Sequence, residues 1–367
     1  MNGLRNFTWL LTTIMILLLT GCDYQEIDSI NTLLVMGIDQ NEKGEIRVTI
    51  ETPDYPKSKG KQQKSLTMEG VGKSIEEAEK NIQFRSPKEL YFAHTTLLLL
   101  GADLAKRDIS GILDYFERGR YFRPTIYMAV CQPAANSILS ANLNSEALHA
   151  FGIRDLINNS TKISRTVTSD MIHIMRGEYS PSKTFGIAAL KLSTEEEPEV
   201  AGVGLIQNHH MVRWIASKDV PYWILMHERH LYNMNFSVTD TGHQKINGRL
   251  IWGRATLTTR WRNGKLTAVY KVRGSGQIDE LSHEMQLTPE ELTKIERHLN
   301  MEFNKKSHKL IQSFQASQID GLSLADECFR KHRNTYQSLK NNWSEVFSQA
   351  NIQCEYHIHL IRSGMKK

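Results

Sequence analysis

Cysteine is scarce in this sequence: 367 residues hold 4. Cys22 stands at the end of an apolar leader, and Cys131, Cys328 and Cys354 remain, an odd number without a Cys-x-x-Cys pair. Neither a disulfide framework nor a zinc ribbon is expected. Long apolar runs are lacking beyond that leader, since the longest aliphatic stretch, Leu97 to Leu100, has the length of a strand. An excess of one charge is lacking too: 45 Lys and Arg face 40 Asp and Glu for a net charge of +5, and they are spread without a long block. That balance argues against nucleic acid as a partner and gives at most a mild preference for anionic membrane surfaces.

The usual chemical motifs are missing. Gly70, Gly72 and Lys73 make a glycine-bearing turn without P-loop spacing, and neither a Gly-x-Ser-x-Gly elbow nor a His-Glu-x-x-His helix occurs, so a hydrolase is not expected. Of 14 histidines, His209 with His210, His227 with His230, and His357 with His359 are close enough in sequence to share an ion. No carboxylate or thiol recurs at matching spacing to complete a ligand set. The first pair is expected in a turn and the last on the wet face of a strand, so no metal, cofactor or catalytic residue is assigned. Gly202 and Gly204 fall in a strand, where close backbone packing accounts for them. Arg118, Arg120 and Arg123 around Tyr121 and Phe122 form the densest basic and aromatic cluster, either a solvated loop anchored by its rings or a surface toward headgroups or a partner.

What is present starts at the N-terminus. Met1 to Arg5 supplies a charged start, Trp9 to Leu19 an apolar stretch, and Leu19-Thr20-Gly21-Cys22 a small-residue cleavage site. About eleven apolar residues are too few to span roughly 30 Å of hydrocarbon, so 1–21 is expected to be a removable signal cut between Gly21 and Cys22. A Cys at the cut makes the pattern a lipobox, with diacylglycerol carried on the Cys22 sulfur. Two acyl chains, at about 0.8 kcal/mol per buried methylene, anchor a protein stably where one is marginal. Polar residues from Asp23 to Glu26 follow, so a tethered ectodomain on the outer face of a membrane is expected.

The ectodomain divides at the acidic, Pro-broken segment Glu195 to Glu199, giving 22–195 and 200–367, with a further split of the second part into 200–275 and 276–367 left open. Before the boundary, strands are expected at Leu33 to Ile38, Glu45 to Glu51 with one wet face, Tyr91 to Leu100, Thr125 to Val130 and Phe185 to Leu192. Helices alternate with them: one opened by the Ser74/Glu77 capping box, one through Ile109 to Phe116, and two about Ala134 to Asn158 and Ser169 to Arg176. This predicts an α/β half with a partly parallel sheet. After the boundary, Gln207 to His210 and Asn263-Gly264 mark hairpins. Thr288-Pro289 with Glu291 opens a long helix with an apolar stripe of Ile295, Leu299, Phe303, Leu310 and Phe314. An alternating strand closes through Ile352 to Leu360. The second half is thus predicted to be a mixed or antiparallel sheet plus long helices, the whole being mixed α/β and α+β.

Several of these segments together resemble the Ger(x)C family of spore germination lipoproteins, the C subunits of GerA-type germinant receptors. The resemblance rests on Cys22-Asp23 with Glu26-Ile27, the strand Leu34 to Asp39, Ser65 to Ala78 with Glu69-Gly70 and Ser74, and Phe92-Ala93-His94 before Leu97 to Gly101. At the other end it rests on Trp343, Phe347 and Arg362-Ser363-Gly364. One stretch departs from the family pattern: Leu324 to Phe329 stands where family members carry an aromatic and glycine-bearing segment. The resemblance implies a non-catalytic subunit in the spore inner membrane or cell membrane, working with integral membrane A-type and B-type receptor subunits in nutrient germination. A solute-capturing lipoprotein of a transport system is the alternative, although it calls for two similar lobes that the antiparallel second half does not offer.

Overall fold

The computed structural model describes residues 9, 29–54, 64–119, 122–141, 148–239, 245–281 and 288–361. The chain enters through β1 (Ile30–Thr32), which pairs in parallel with β5 (Glu89–Tyr91) as a small separate sheet. Between them run β2 (Val35–Gln40), β3 (Ile46–Asp54) and β4 (Lys64–Gly72) as an antiparallel meander, then α1 (Ile75–Gln83). The capping box forms: Ser74 Oγ accepts from the Glu77 amide at 3.2 Å, while the Glu77 carboxylate accepts from the Lys73 amide at 2.8 Å. Gly70 and Gly72 let this helix lie against β4, because a Cβ at either would strike the backbone of Glu77 or Ala78.

The chain continues through β6 (Leu97–Gly101), α2 (Ala102–Ala105), α3 (Ser110–Arg118), β7 (Tyr127–Gln132), α4 (Ala135–Leu139), α5 (His149–Lys162), α6 (Met171–Glu178) and β8 (Thr184–Leu192). A hairpin of β9 (Pro198–Gln207) and β10 (His210–Ala216) follows. These strands make one eight-stranded sheet, ordered β10-β9-β8-β7-β6-β2-β3-β4, in which β8, β7, β6 and β2 run parallel. Leu97 to Leu100 are all fully buried, as a strand covered on both faces requires. Leu98 and Leu100 enter one core with Met36 and Ile38, and Leu97 and Leu99 the other with Val35 and Cys131.

The second half comprises α7 (Val220–His227), β11 (His230–Thr239), β12 (Lys245–Arg262), β13 (Lys265–Leu281), α8 (Pro289–Ala316), α9 (Leu324–Lys331), α10 (Arg333–Leu339), α11 (Trp343–Gln349) and β14 (Asn351–Ile361). Its sheet, β11-β12-β13-β14, is antiparallel except for the β13–β14 pair. Asn263 and Gly264 turn the central hairpin with φ of 49° and 74°, the left-handed pair such a turn demands. Phe303 of α8 meets Tyr222, Phe236 and Tyr356 edge-on at 5.6, 6.0 and 5.6 Å. The expected fold class is borne out: an α/β first half, then a mixed sheet with long helices.

Three segments differ from the sequence reading. β3 has no wet face, because Thr49 and Glu51 are as buried as Val48 and Ile50. The reason is α5, whose first amides, His149 and Ala150, each donate to the Glu51 carboxylate at 2.9 Å. Tyr91 to Leu100 is two strands, since Tyr91 pairs with β1 and the chain turns at Phe92 to Thr95 before joining the large sheet. The acidic segment Glu195 to Glu199 belongs to a hairpin: β8 and β9 pair antiparallel through it, and Glu196 turns the chain at φ 58°.

Glu51 and His149 Nδ1 also meet at 2.9 Å, with the carboxylate almost wholly buried. Burial pushes Glu51 up, yet the His149 side chain and the two amides outweigh it and hold the group below its ordinary 4.5. Their contact in turn raises His149 above 6.5 against its own burial. The carboxylate's contribution to stability therefore stands above pH 4.5 and is lost as pH falls through the folded value. The imidazolium's contribution is full below 6.5 and is lost as pH rises through its folded value. Glu51→Gln should lower stability by about 1–3 kcal/mol when urea unfolding is measured between those two pH values, and by less at alkaline pH; coincident midpoints in that window would show that the cap contributes nothing.

Candidate functional site

Cys22 and Gly21, the residues the sequence singles out, lie outside the described residues, as do Arg120 and Tyr121. Of the same basic cluster, Arg118 pairs with Asp114 at 2.6 Å and Phe122 packs edge-on against Phe116 at 4.5 Å. The paired histidines separate. His209 turns the β9–β10 hairpin and contacts Glu178 at 2.8 Å, whereas the His210 ring donates to the Asn208 carbonyl. His357 and His359 stand exposed on β14, and His227 is half-buried while His230 is exposed. Among the described residues, no group of three or more His, Cys, Asp or Glu side chains converges as a metal site.

The richest polar assembly lies where the two halves meet, in a cleft of about 530 Å³ whose lining includes Thr166, Arg176, Trp223, His227, Ser323 and Asp326. His227 stacks on Trp223 at 4.6 Å and its Nδ1 is 3.0 Å from Ser323 Oγ. Ser323 Oγ is 3.3 Å from Ser182 Oγ, and the Ser182 amide donates to Asp326 at 2.8 Å. Burial holds His227 below its ordinary value, with Glu228 and Asp326 opposing, and burial raises Asp326. The hydroxyl–imidazole contact resembles the start of a nucleophile pair, but its surroundings do not complete one. The nearest helix amides, Leu324 and Ala325, both donate to the buried Asp320 carboxylate at 3.0 and 2.8 Å, so neither is available to a developing oxyanion. The cluster instead lies at the joint between halves, helped by Arg213 donating to the Ser313 carbonyl and Tyr336 OH to the Pro181 carbonyl.

Helix α9 carries the second assembly. Its Glu327 side chain is fully enclosed and accepts from Arg229 at 2.8 Å, Lys331 at 2.7 Å and Arg330. Burial alone would raise this carboxyl, but Lys331, Arg330 and Arg229 together hold it at about 2. The i,i+3 and i,i+4 partners were visible as spacing on a helix. Arg229, 98 positions away, carried no local signal. Cys328 beside it is buried, which pushes its thiol up to about 12 and leaves it inert.

The chain is similar to spore germination proteins along most of its length. Residues 23–192 match the family described as "Spore germination protein N-terminal domain", and residues 201–364 match "Spore germination B3/ GerAC like, C-terminal". Spore germination protein KC of Bacillus subtilis (strain 168) is 23% identical over 80% of this chain and 78% of its own length. Spore germination protein B3 of the same organism is 21% identical over 95% and 96%, and spore germination protein GerQC of Bacillus cereus 20% identical over 97% and 99%. The crystal structure of the GerBC protein superposes with a TM-score of 0.59 at 16% identity, covering 89% of this chain and 96% of that one, so the fold is shared.

Because Glu327 sits well below its ordinary 4.5, its contribution to stability is present above pH 4.5 and fades as pH falls toward 2. Glu327→Gln should lower stability near neutral pH by about 2 kcal/mol, discounted because its three cations reach solvent. Denaturant midpoints of the two chains should draw together as pH falls through this range, and a gap that persists at the acid end would mean the three-cation cluster is not its source.

Proposed function

The chain belongs to the Ger(x)C family of spore germination proteins, and from that membership we propose that it is the lipid-anchored, non-catalytic subunit of a spore nutrient germinant receptor. The observation that carries the anchor is positional. The family region opens at residue 23, directly after Leu19-Thr20-Gly21-Cys22, which supports cleavage before Cys22 and diacylglycerol on its sulfur. Among the described residues no helix is long and apolar enough to cross a membrane. Cys22 onward is then an ectodomain of two family regions, 22–195 and 200–367, joined through the β8–β9 hairpin and held at the outer face of the spore inner membrane.

Its partners on this reading are the two integral membrane subunits, of A and B type. Confinement to the membrane plane raises the local concentration of the subunit beside them, so interfaces of modest affinity suffice. The work of the ectodomain is assembly and signalling through contact surfaces, and the hydrogen-bonded joint at His227 and Ser323 suits a body of fixed shape. Capture of a solute between like lobes finds less support, because the sheets have eight and four strands in unlike orders.

Cys22→Ala should leave the fold intact, shift the protein from the membrane pellet to the soluble fraction, and abolish nutrient-triggered germination through this receptor. The checks are ultracentrifugation with immunoblotting and the fall in absorbance of a spore suspension after nutrient addition. Undiminished pelleting would remove the anchor, and normal germination with a soluble protein would remove the need for it.

A further inference from the structure

The second sheet buries one face against α8 and leaves the other open, and the open face carries an unusual row of side chains. In register across all four strands stand His230, Arg254, Arg273 and His357, each exposed. Residues directly opposite on neighbouring strands hold their Cβ atoms about 4.5–5.5 Å apart, where like charges repel. Elsewhere on this face two cations have acids beside them, Arg249 with Asp279 at 3.8 Å and Lys271 with Glu355 at 3.4 Å. Among the described residues, Arg254 and Arg273 have no such carboxylate. The next row presents Tyr232 opposite Trp252, rings that are 64% and 42% exposed.

This row runs to the β11 edge, into a cleft of about 720 Å³ whose lining includes Arg229, Trp252, Arg254, Arg330 and Lys331, with Glu228 on its rim. Beneath it Glu327 fixes three of those cations. Four cations against two carboxylates leave the cleft positive. Of the five cations in the row and cleft, four are arginines, whose planar fork suits a carboxylate better than the point charge of lysine. Arg, Trp and Tyr are also the side chains that dominate the energy of protein interfaces. Attraction to a lipid surface relies on clusters of basic chains near the membrane; here strand register sets the spacing of Arg254 and Arg273 and a buried carboxylate holds Arg229 and Arg330, which favours a partner with its own defined spacing of acids.

We propose that this face docks an extended acidic segment of a partner protein, its carboxylates along Arg254 and Arg273 and in the Arg229 cleft, its side chains against Trp252 and Tyr232. The inference rests on the chain being a subunit that works beside partner proteins. The test offers the full chain in detergent a fluorescein-labelled ten-residue glutamate peptide, read by anisotropy. Binding should weaken at least about tenfold in the Arg254→Glu/Arg273→Glu chain and fall with added salt. Without peptide, Arg254→Gln should melt no lower than the parent chain, since it relieves repulsion. Equal peptide affinity of parent and charge-reversed chains would overturn the proposal. So would full displacement of the peptide by millimolar inorganic phosphate, which would mark a small-anion site. Flotation of the Cys22→Ala chain with phosphatidylglycerol vesicles, lost on charge reversal while peptide binding persists, would assign the face to lipid instead. Peptide binding in detergent does not depend on acylation, so a failed anchor shows in fractionation and a failed docking face shows here.

Discussion

Three carboxylates taken out of water hold this fold in register. Asp39, Glu51 and Asp320 are each buried, and each accepts from two successive amides at the start of a helix. Asp39 receives Ala135 and Asn136 at 2.8 and 2.9 Å, Glu51 receives His149 and Ala150, and Asp320 receives Leu324 and Ala325. A helix start offers orphan N–H groups and the positive end of its dipole, which offset the desolvation of a buried carboxylate, fully at Glu51 and only in part at Asp320, where burial still lifts the carboxyl to about 6. Two of these contacts join residues almost a hundred positions apart, so they set where α4 and α5 sit on the large sheet. The third orders α9, and its Asp320 also accepts from Trp343 Nε1 at 2.8 Å, which ties the closing helix and strand to the same point.

That arrangement explains what the sequence could and could not disclose. Local rules sufficed where the determinant was local: the Thr288/Glu291 cap opens α8 as spacing predicts, with a 3.2 Å bond, and Asn263-Gly264 turns its hairpin. The four leucines of β6 announced a doubly covered strand by having no polar member. β3 misled because alternation normally marks a wet face, and here Glu51 is polar for the sake of a helix that arrives a hundred residues later. Glu195 to Glu199 falls between the two family regions yet turns a hairpin, because a cluster of acids and a proline looks the same in a hairpin and in a linker. The lipidation site was legible only as a motif, since its evidence is chemical grammar and not packing.

The joint between the halves carries its own constraint. His227, half-buried and held below its ordinary value, is neutral near physiological pH, and a neutral imidazole can pass hydrogen bonding between hydroxyls without burying charge. Ser323 adopts φ 54°, a left-handed conformation that non-glycine residues hold only where neighbours fix it. Its hydroxyl contacts, the Asp320 bonds just after it and the stacking on Trp223 supply that fixation. The residues that resemble a nucleophile pair thus also bridge the two halves.

Charge placement then separates structural from outward-facing roles. Glu327 shows how far internal pairing can go, with one enclosed carboxylate serving three cations. By contrast, two arginines left opposite each other on an open sheet are a local loss of stability that no contact among the described residues repays. Such a loss is what a surface tolerates when its complement lies on another molecule. An acidic segment laid across the row would gain both its own contacts and the relief of the repulsion, so the stability given up in the free ectodomain returns as affinity in the complex.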